Sequence, residues 1–210
     1  MHHFILIHSL IHSFPMLPRR MIRRYTNQPV ATMLIEQVLA AAVTAPSPHN
    51  RQPWRFAVLR GEARTRLAVA MGNKLRADRL RDGDAADVIE RDVARSSQRI
   101  TSAPVAILAC LSMSEMDHYA DAHRANAERW MAAQAVACAI QNLLIEASAL
   151  GLGACWMCAP LFCPDIVVSS LALPDDWEPQ ALITLGYAAD TGRERGRKPL
   201  PEVVRYFGDA

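Results

Sequence analysis

Several common chemical frameworks are missing from this chain. Five cysteines among 210 residues are too few and too odd in number for a disulfide framework. No secretion signal accompanies them, so free thiols in a reducing cytoplasm are expected. Charge of one sign is missing too: 23 basic side chains face 21 acidic ones, for a formal +2. That balance exerts no general pull on nucleic acid, and any anion site must be local. No apolar run reaches the roughly 20 residues that cross a bilayer. Nor does the chain carry a G-x-S-x-G, a P-loop, an H-E-x-x-H or a G-x-G-x-x-G, the signatures of hydrolase, nucleotide-hydrolysing, zinc-protease and dinucleotide sites.

What is present suits one domain, large enough to bury a core without metal or disulfide staples. The apolar fraction, 51%, is slightly high for a lone monomer and points to apolar surface that meets a partner. Residues 1–18 stand apart. They are apolar, studded with His2, His3, His8 and His12, and lack Lys or Arg before Arg19. A signal peptide needs a positive start and a small-residue cleavage site, and the irregular histidines lack the company of zinc ligands. Residues 1–18 read as a disordered extension, or as sequence upstream of a native start at Met16. The folded domain is expected over 19–207.

Along that domain Leu34, Ile35, Val38, Leu39 and Ala42 recur at helical spacing after Thr32, a plausible cap, and stop at Ala45-Pro46. Residues 55–60 read as a short strand ended by Gly61. Two amphipathic helices follow, one through Leu67, Met71 and Leu75, the other through Val88, Ile89 and Val93. Residues 104–111 form a continuous apolar run of strand length, the mark of a strand covered on both faces. Residues 126–150 carry the longest helical signal, and Trp130, Val136, Ile140, Leu143 and Leu144 nearly encircle it, as in a central helix. Strands at 154–157 and 181–187 and a basic tail complete the chain. Without strict βαβ alternation the expected class is α+β.

Three segments can carry chemistry. Arg19-Arg20-Met21-Ile22-Arg23-Arg24-Tyr25 holds four arginines in six residues, either a solvated basic face or a set of forks for phosphate oxygens. Residues 45–54, Ala-Pro-Ser-Pro-His-Asn-Arg-Gln-Pro-Trp, contain three prolines that force a rigid loop between a helix and a strand. That loop is a stiff connector or a mount for Ser47, His49, Asn50, Arg51 and Gln52. In Gly151-Leu152-Gly153-Ala154-Cys155-Trp156-Met157-Cys158-Ala159-Pro160 the cysteines form a C-x-x-C. The helix lies before this pair, not after it, and the pair sits in an apparent strand, so packing is preferred to redox or metal use. Asp117, His118, Asp121 and His123 lie in a polar loop and read as solvated surface.

Taken in order, these segments resemble the nitroreductase family. The match runs through Arg19–Tyr25, Ala45–Trp54, Gln141–Gly153, Leu185-Gly186-Tyr187 and Arg197-Lys198-Pro199, over residues 19–207. The Pro-Ser-x-x-Asn-x-Gln-Pro-Trp loop is its most specific part. Residues 48–56 and 157–163 look most like the nitroreductase-like half of the bifunctional γ-glutamyl ligase of deazaflavin coenzyme biosynthesis. The resemblance implies an α+β fold, a central sheet flanked by helices, and an interlocked homodimer with FMN at the interface. It implies Arg19, Arg20 and Arg23 at the cofactor phosphate and ribityl chain, with Arg197 and Lys198 joining from the tail. Ser47, Asn50 and Gln52 would contact the ribityl and ring edge from the partner subunit, and Cys158 and Ala159 would lie at the flavin N5. Met21 departs from the family's usual serine. The implied activity is hydride transfer from NADH or NADPH to a nitroaromatic, quinone or related acceptor by a ping-pong mechanism, without a catalytic side chain, metal, membrane or nucleic acid. Alternatives are a reductase in deazaflavin coenzyme biosynthesis and a non-catalytic flavin-binding module.

Overall fold

The computed structural model describes residues 19–208; the extension at 1–18 lies outside the described residues. Among the described residues, six α-helices and four strands form an α+β fold. In chain order these are α1 (Thr32–Ala42), β1 (Trp54–Leu59), α2 (Gly61–Arg81), α3 (Ala86–Thr101), β2 (Val105–Leu111), α4 (Ala122–Ala149), β3 (Gly153–Met157), α5 (Pro164–Leu171), β4 (Glu178–Gly186) and α6 (Leu200–Val203). The strands make one antiparallel sheet in the order β1-β2-β4-β3.

Side-chain alternation divides β2 between two cores. Val105, Ile107, Ala109 and Leu111 pack with α1 and α4 on one face. Ala106, Leu108 and Cys110 pack with α2, Ile100 of α3 and Val167 of α5 on the other. All seven residues of β2 are therefore buried, as its unbroken apolar run predicts. Burial pushes the Cys110 thiol up to about 12, so it stays a neutral packing group.

The long helix starts four residues earlier than its apolar pattern suggests, because Asp121 caps it by accepting the Arg124 N–H at 2.9 Å. Its apolar residues also do not all go inward. Ala132, Val136, Ile140, Leu143 and Leu144 are buried, whereas Trp130 is 64% and Ile145 43% exposed. Thr32 is the first helical residue of α1 rather than its cap; its Oγ1 accepts from Arg60 instead. The apolar strip read at 154–157 extends back to Gly153, and α5, too short to show periodicity, had no sequence signal.

Residues 19–26 lie against the open edge of β3 and then follow the chain beyond β4. Met21 bridges Ala154, Tyr25 bridges Ala188, and Ile22 N–H donates to the Ala154 carbonyl at 3.0 Å. Gly153 permits this approach: a Cβ there would stand 2.7 Å from Ile22 Cβ. The Tyr25 hydroxyl lies 2.7 Å from both the Ile22 carbonyl oxygen and Thr184 Oγ1. Burial raises its pKa far above the usual phenol range, more than the Thr184 bond lowers it, so it remains a neutral hydrogen-bonding anchor for the strip.

Candidate functional site

The arginine strip is extended, so its four arginines spread over roughly 17 Å instead of converging as on a helix. Arg19 and Arg20 accordingly line one cavity of about 630 Å³, with Ser148 at the end of α4 and residues 151–154 and 188–191. Arg20 pairs with Glu194 at 3.1 Å. Arg19 buries its Nη1 with no hydrogen-bond partner among the described residues, a costly state for a charged donor unless a ligand supplies an acceptor.

Arg23 and Arg24 line a second cavity of about 530 Å³; α3 adds Arg95, Gln98 and Arg99, and Ser102 follows at the helix end. Four guanidiniums surround it and no carboxylate is among its lining residues. Asp92 offsets Arg95 at 2.5 Å, whereas Arg23 and Arg99 have no carboxylate partner among the described residues. Neither α3 arginine was singled out in the sequence. The signal was there, since an i, i+4 spacing sets both on one helix face, but nothing local tied that face to residues 23–25. Cys155 lies beside these cations. Burial raises its thiol pKa and the Arg23 and Arg99 charges pull it back only in part, so it is no thiolate nucleophile at neutral pH.

The proline loop holds Ser47, Asn50 and Gln52. His49, Asn50 and Gln52 have φ of 46°, 54° and 50°, the left-handed region where a non-glycine residue costs of order 1 kcal/mol or more. Three such residues within four mark a loop whose shape is held against local preference, and such strain clusters at binding sites. Gln52 N–H donates to Ser47 Oγ at 3.0 Å, and Ser112 N–H to the Pro53 carbonyl at 2.8 Å. Arg51 pairs with Asp117 at 2.7 Å. Asn50 and Gln52 are left exposed and Ser47 half-buried.

The loop feeds β1, and the arginine strip borders β3. Those strands are the two edges of the sheet, separated by three strand spacings, roughly 14 Å. One subunit therefore does not bring Ser47, Asn50 and Gln52 to Arg19, Arg20 and Arg23. Cys158 and Ala159 lie just past the end of β3, the former exposed and the latter in a 3-10 turn over Ala159–Phe162. The C-x-x-C is thus not wholly in a strand, and all five thiols are free. Arg197 and Lys198 sit in the tail and line neither cavity; Arg197 bonds only to the Arg195 and Gly196 carbonyls. No cluster of metal-ligating side chains occurs among the described residues. On the flavin chemistry that the resemblance implies, Cys158→Ser should retain most turnover, since no second thiol pairs with it. Loss of flavin reduction in that variant, with flavin still bound, would show a thiol role.

The model of the nitroreductase family matches residues 17–187. An NADH dehydrogenase of Thermus thermophilus is 29% identical, covering 90% of this chain and 92% of its own. A nitrobenzene nitroreductase of Ectopseudomonas oleovorans is 27% identical over 81% of this chain and 83% of its own. Among solved structures, one from Desulfovibrio desulfuricans, described as a nitroreductase in complex with FMN, is 28% identical with a TM-score of 0.71. That match covers 91% of this chain and 94% of the other. With the family match spanning most of the folded chain, the chain is a member of the nitroreductase family.

Proposed function

We propose that this chain is an FMN-dependent oxidoreductase. It takes hydride from NADH or NADPH and delivers it to a nitroaromatic, quinone or related conjugated acceptor, working as a two-fold dimer whose subunits share each site. The carrying observation is the cationic cavity of Arg23, Arg24, Arg95 and Arg99, which no carboxylate lines; Asp190 and Asp92 pair with Arg24 and Arg95 from outside it, which leaves Arg23 and Arg99 for a ligand. Its charge suits a ligand that is anionic or gathers negative charge on reduction. The donor set fits FMN in a second respect, because the buried, partnerless Arg19 Nη1 calls for an anionic oxygen. Relatives named NADH dehydrogenase and nitrobenzene nitroreductase support the donor and acceptor classes.

Bound FMN would supply hydride chemistry that no side chain here can carry. The chain's own residues do the holding. Arg19, Arg20 and Arg23 offer guanidinium forks, and Arg197 and Lys198 add charge from the tail. Arg99 stands with Arg23 where negative charge would be stabilised. Ser47, Asn50 and Gln52 are rigidly presented donors and acceptors, and Cys158 and Ala159 lie at the end of β3. Opposite-edge placement of the loop and the arginine strip is the reason for a shared site: a second copy can complete across a two-fold axis what one copy holds apart. The exposed Trp130 and Ile145 of α4 supply apolar surface for that contact. Free thiols and the lack, among the described residues, of any helix long and apolar enough to cross a membrane accord with a cytoplasmic setting. A narrower role in deazaflavin coenzyme biosynthesis rests on residues 48–56 and 157–163 alone.

The test is direct. Purified protein should carry FMN absorbance, bleach under NADH or NADPH without oxygen, and sediment as a dimer. Varying donor and acceptor together should yield parallel lines, since both use one slot in turn. Protein that binds no FMN would refute the reading, and bound FMN that no nicotinamide reduces would favour a binding module.

A further inference from the structure

Two polar features have no part in the reading above, the run at residues 117–123 and the buried carboxylate of Glu128. Glu128 is 1% exposed near the start of α4, and its Oε1 accepts the Asp117 backbone N–H at 3.3 Å. The Asp117 carboxylate in turn accepts from Arg51 Nη2 at 2.7 Å. Arg51 stands between Asn50 and Gln52, both held with positive φ. Among the described residues this ion pair is the one hydrogen-bonded tie from residues 48–52 to an element other than the loop itself and β1. The remaining bonds are local: Asn50 N–H to the Ser47 carbonyl, Arg51 N–H to the Pro48 carbonyl, Gln52 N–H to Ser47 Oγ, and Arg55 Nη1 to the Gln52 carbonyl.

A strained loop keeps its shape only where its surroundings over-determine it. The local bonds close the turn on itself, and the Ser112 N–H bond to the Pro53 carbonyl ties only the loop's exit into β1; none of them ties the strained centre at residues 49–52 to the body of the protein. The chain from Arg51 through Asp117 to Glu128 does that, because Glu128 is buried on α4, whose inward residues lie in the core. A carboxylate with so little exposure is itself costly unless its acceptors are used, and the use it has here is to seat Asp117.

We propose that Asp117, seated on Glu128, is a positioning residue of the cofactor-facing loop. It engages the Arg51 guanidinium, so Arg51 serves as a strut rather than as a cofactor ligand, and the strut sets where Asn50 and Gln52 present their side chains. The inference rests on the reading that this loop holds FMN. It also assigns a role to the acidic residue at the head of the Asp117–His123 run, which no metal cluster accounts for.

Three variants test it: Asp117→Ala, Arg51→Ala, and the charge swap carrying Arg51→Asp with Asp117→Arg. Amide hydrogen exchange over residues 48–54 should rise about two- to fivefold in Asp117→Ala, the range for a partly exposed ion pair. FMN affinity, read by fluorescence titration, should fall about two- to fivefold and equally in both single variants. The swap should recover most of that loss, with little change in melting temperature throughout. Unchanged loop exchange in Asp117→Ala overturns the proposal. So does a loss in Arg51→Ala far larger than in Asp117→Ala with no recovery in the swap, which would make Arg51 a direct ligand. A parent protein that binds no FMN refutes the flavin reading instead, and loop exchange then still decides whether Asp117 is the strut.

Discussion

Arg23→Ala is expected to weaken FMN binding about 10- to 150-fold, the loss of a charge-assisted hydrogen bond worth roughly 1.5–3 kcal/mol. Arg23 lines the cavity in which no carboxylate competes for the guanidinium, so the ligand has this charge to itself. Its exposure argues for the lower part of that range, because solvent screens a charge at the surface. Arg99→Ala should act in the same direction, since Arg99 is the other guanidinium of that cavity without an acidic partner among the described residues. Arg19→Ala makes the complementary measurement: it removes a side chain that lines the first cavity and whose buried Nη1 has no partner among the described residues. The three dissociation constants together show how the cofactor divides its anionic groups between the two cavities. Binding in Arg23→Ala as tight as in the parent would remove the cationic cavity from the site.

Gly153→Ala is expected to destabilise the fold by about 1–3 kcal/mol, as overpacking of a close contact does. The melting temperature should fall roughly 3–10 °C for a domain of this size. The added Cβ would meet Ile22 Cβ and Cγ2 at 2.7 Å, and neither atom is the far end of a flexible chain. The strip must therefore back away from β3, taking Arg19, Arg20 and Arg23 with it, and flavin affinity should fall along with stability. Gly83→Ala is the matched control. Its φ is +84° with nothing within 4 Å, so alanine there strains the turn between α2 and α3 without touching the strip. It should lower the melting temperature and leave flavin affinity alone. Equal flavin affinity in Gly153→Ala and the parent would mean that the docking of the strip does not shape the site.

The parts of this molecule that could be read beforehand are those whose cause is local. The unbroken apolar run of β2 reported its two-sided burial, because a strand covered on both faces has no polar side to alternate with. The prolines of residues 46–53 reported a stiff loop because each restricts its own φ and its neighbour's. The density of arginine at 19–24 reported positive charge. Element ends were less legible. Asp121 extended α4 beyond its apolar stripe, and α5 is too short to show a period at all. The encircling apolar pattern of α4 divides in the single chain: Val136, Ile140, Leu143 and Leu144 are buried, whereas Trp130 remains on the surface.

By itself the sequence determined an α+β chain with two motif-bearing segments, a rigid polar loop and a basic strip, and no side chain suited to carry the chemistry. Only the tertiary structure decided how those segments stand to one another. Strand order β1-β2-β4-β3 sets the loop and the strip at opposite edges of the sheet, and the extended course of residues 19–25 divides its arginines between two cavities. The packing of α3 brings Arg95 and Arg99 to Arg23, and the loop at 112–117 brings Asp117 to Arg51. The reason is that hydrophobic period and turn chemistry act over a few residues, whereas these juxtapositions join residues 66 to 76 positions apart. They depend on which strands pair and which helix faces are buried, and no local pattern encodes that.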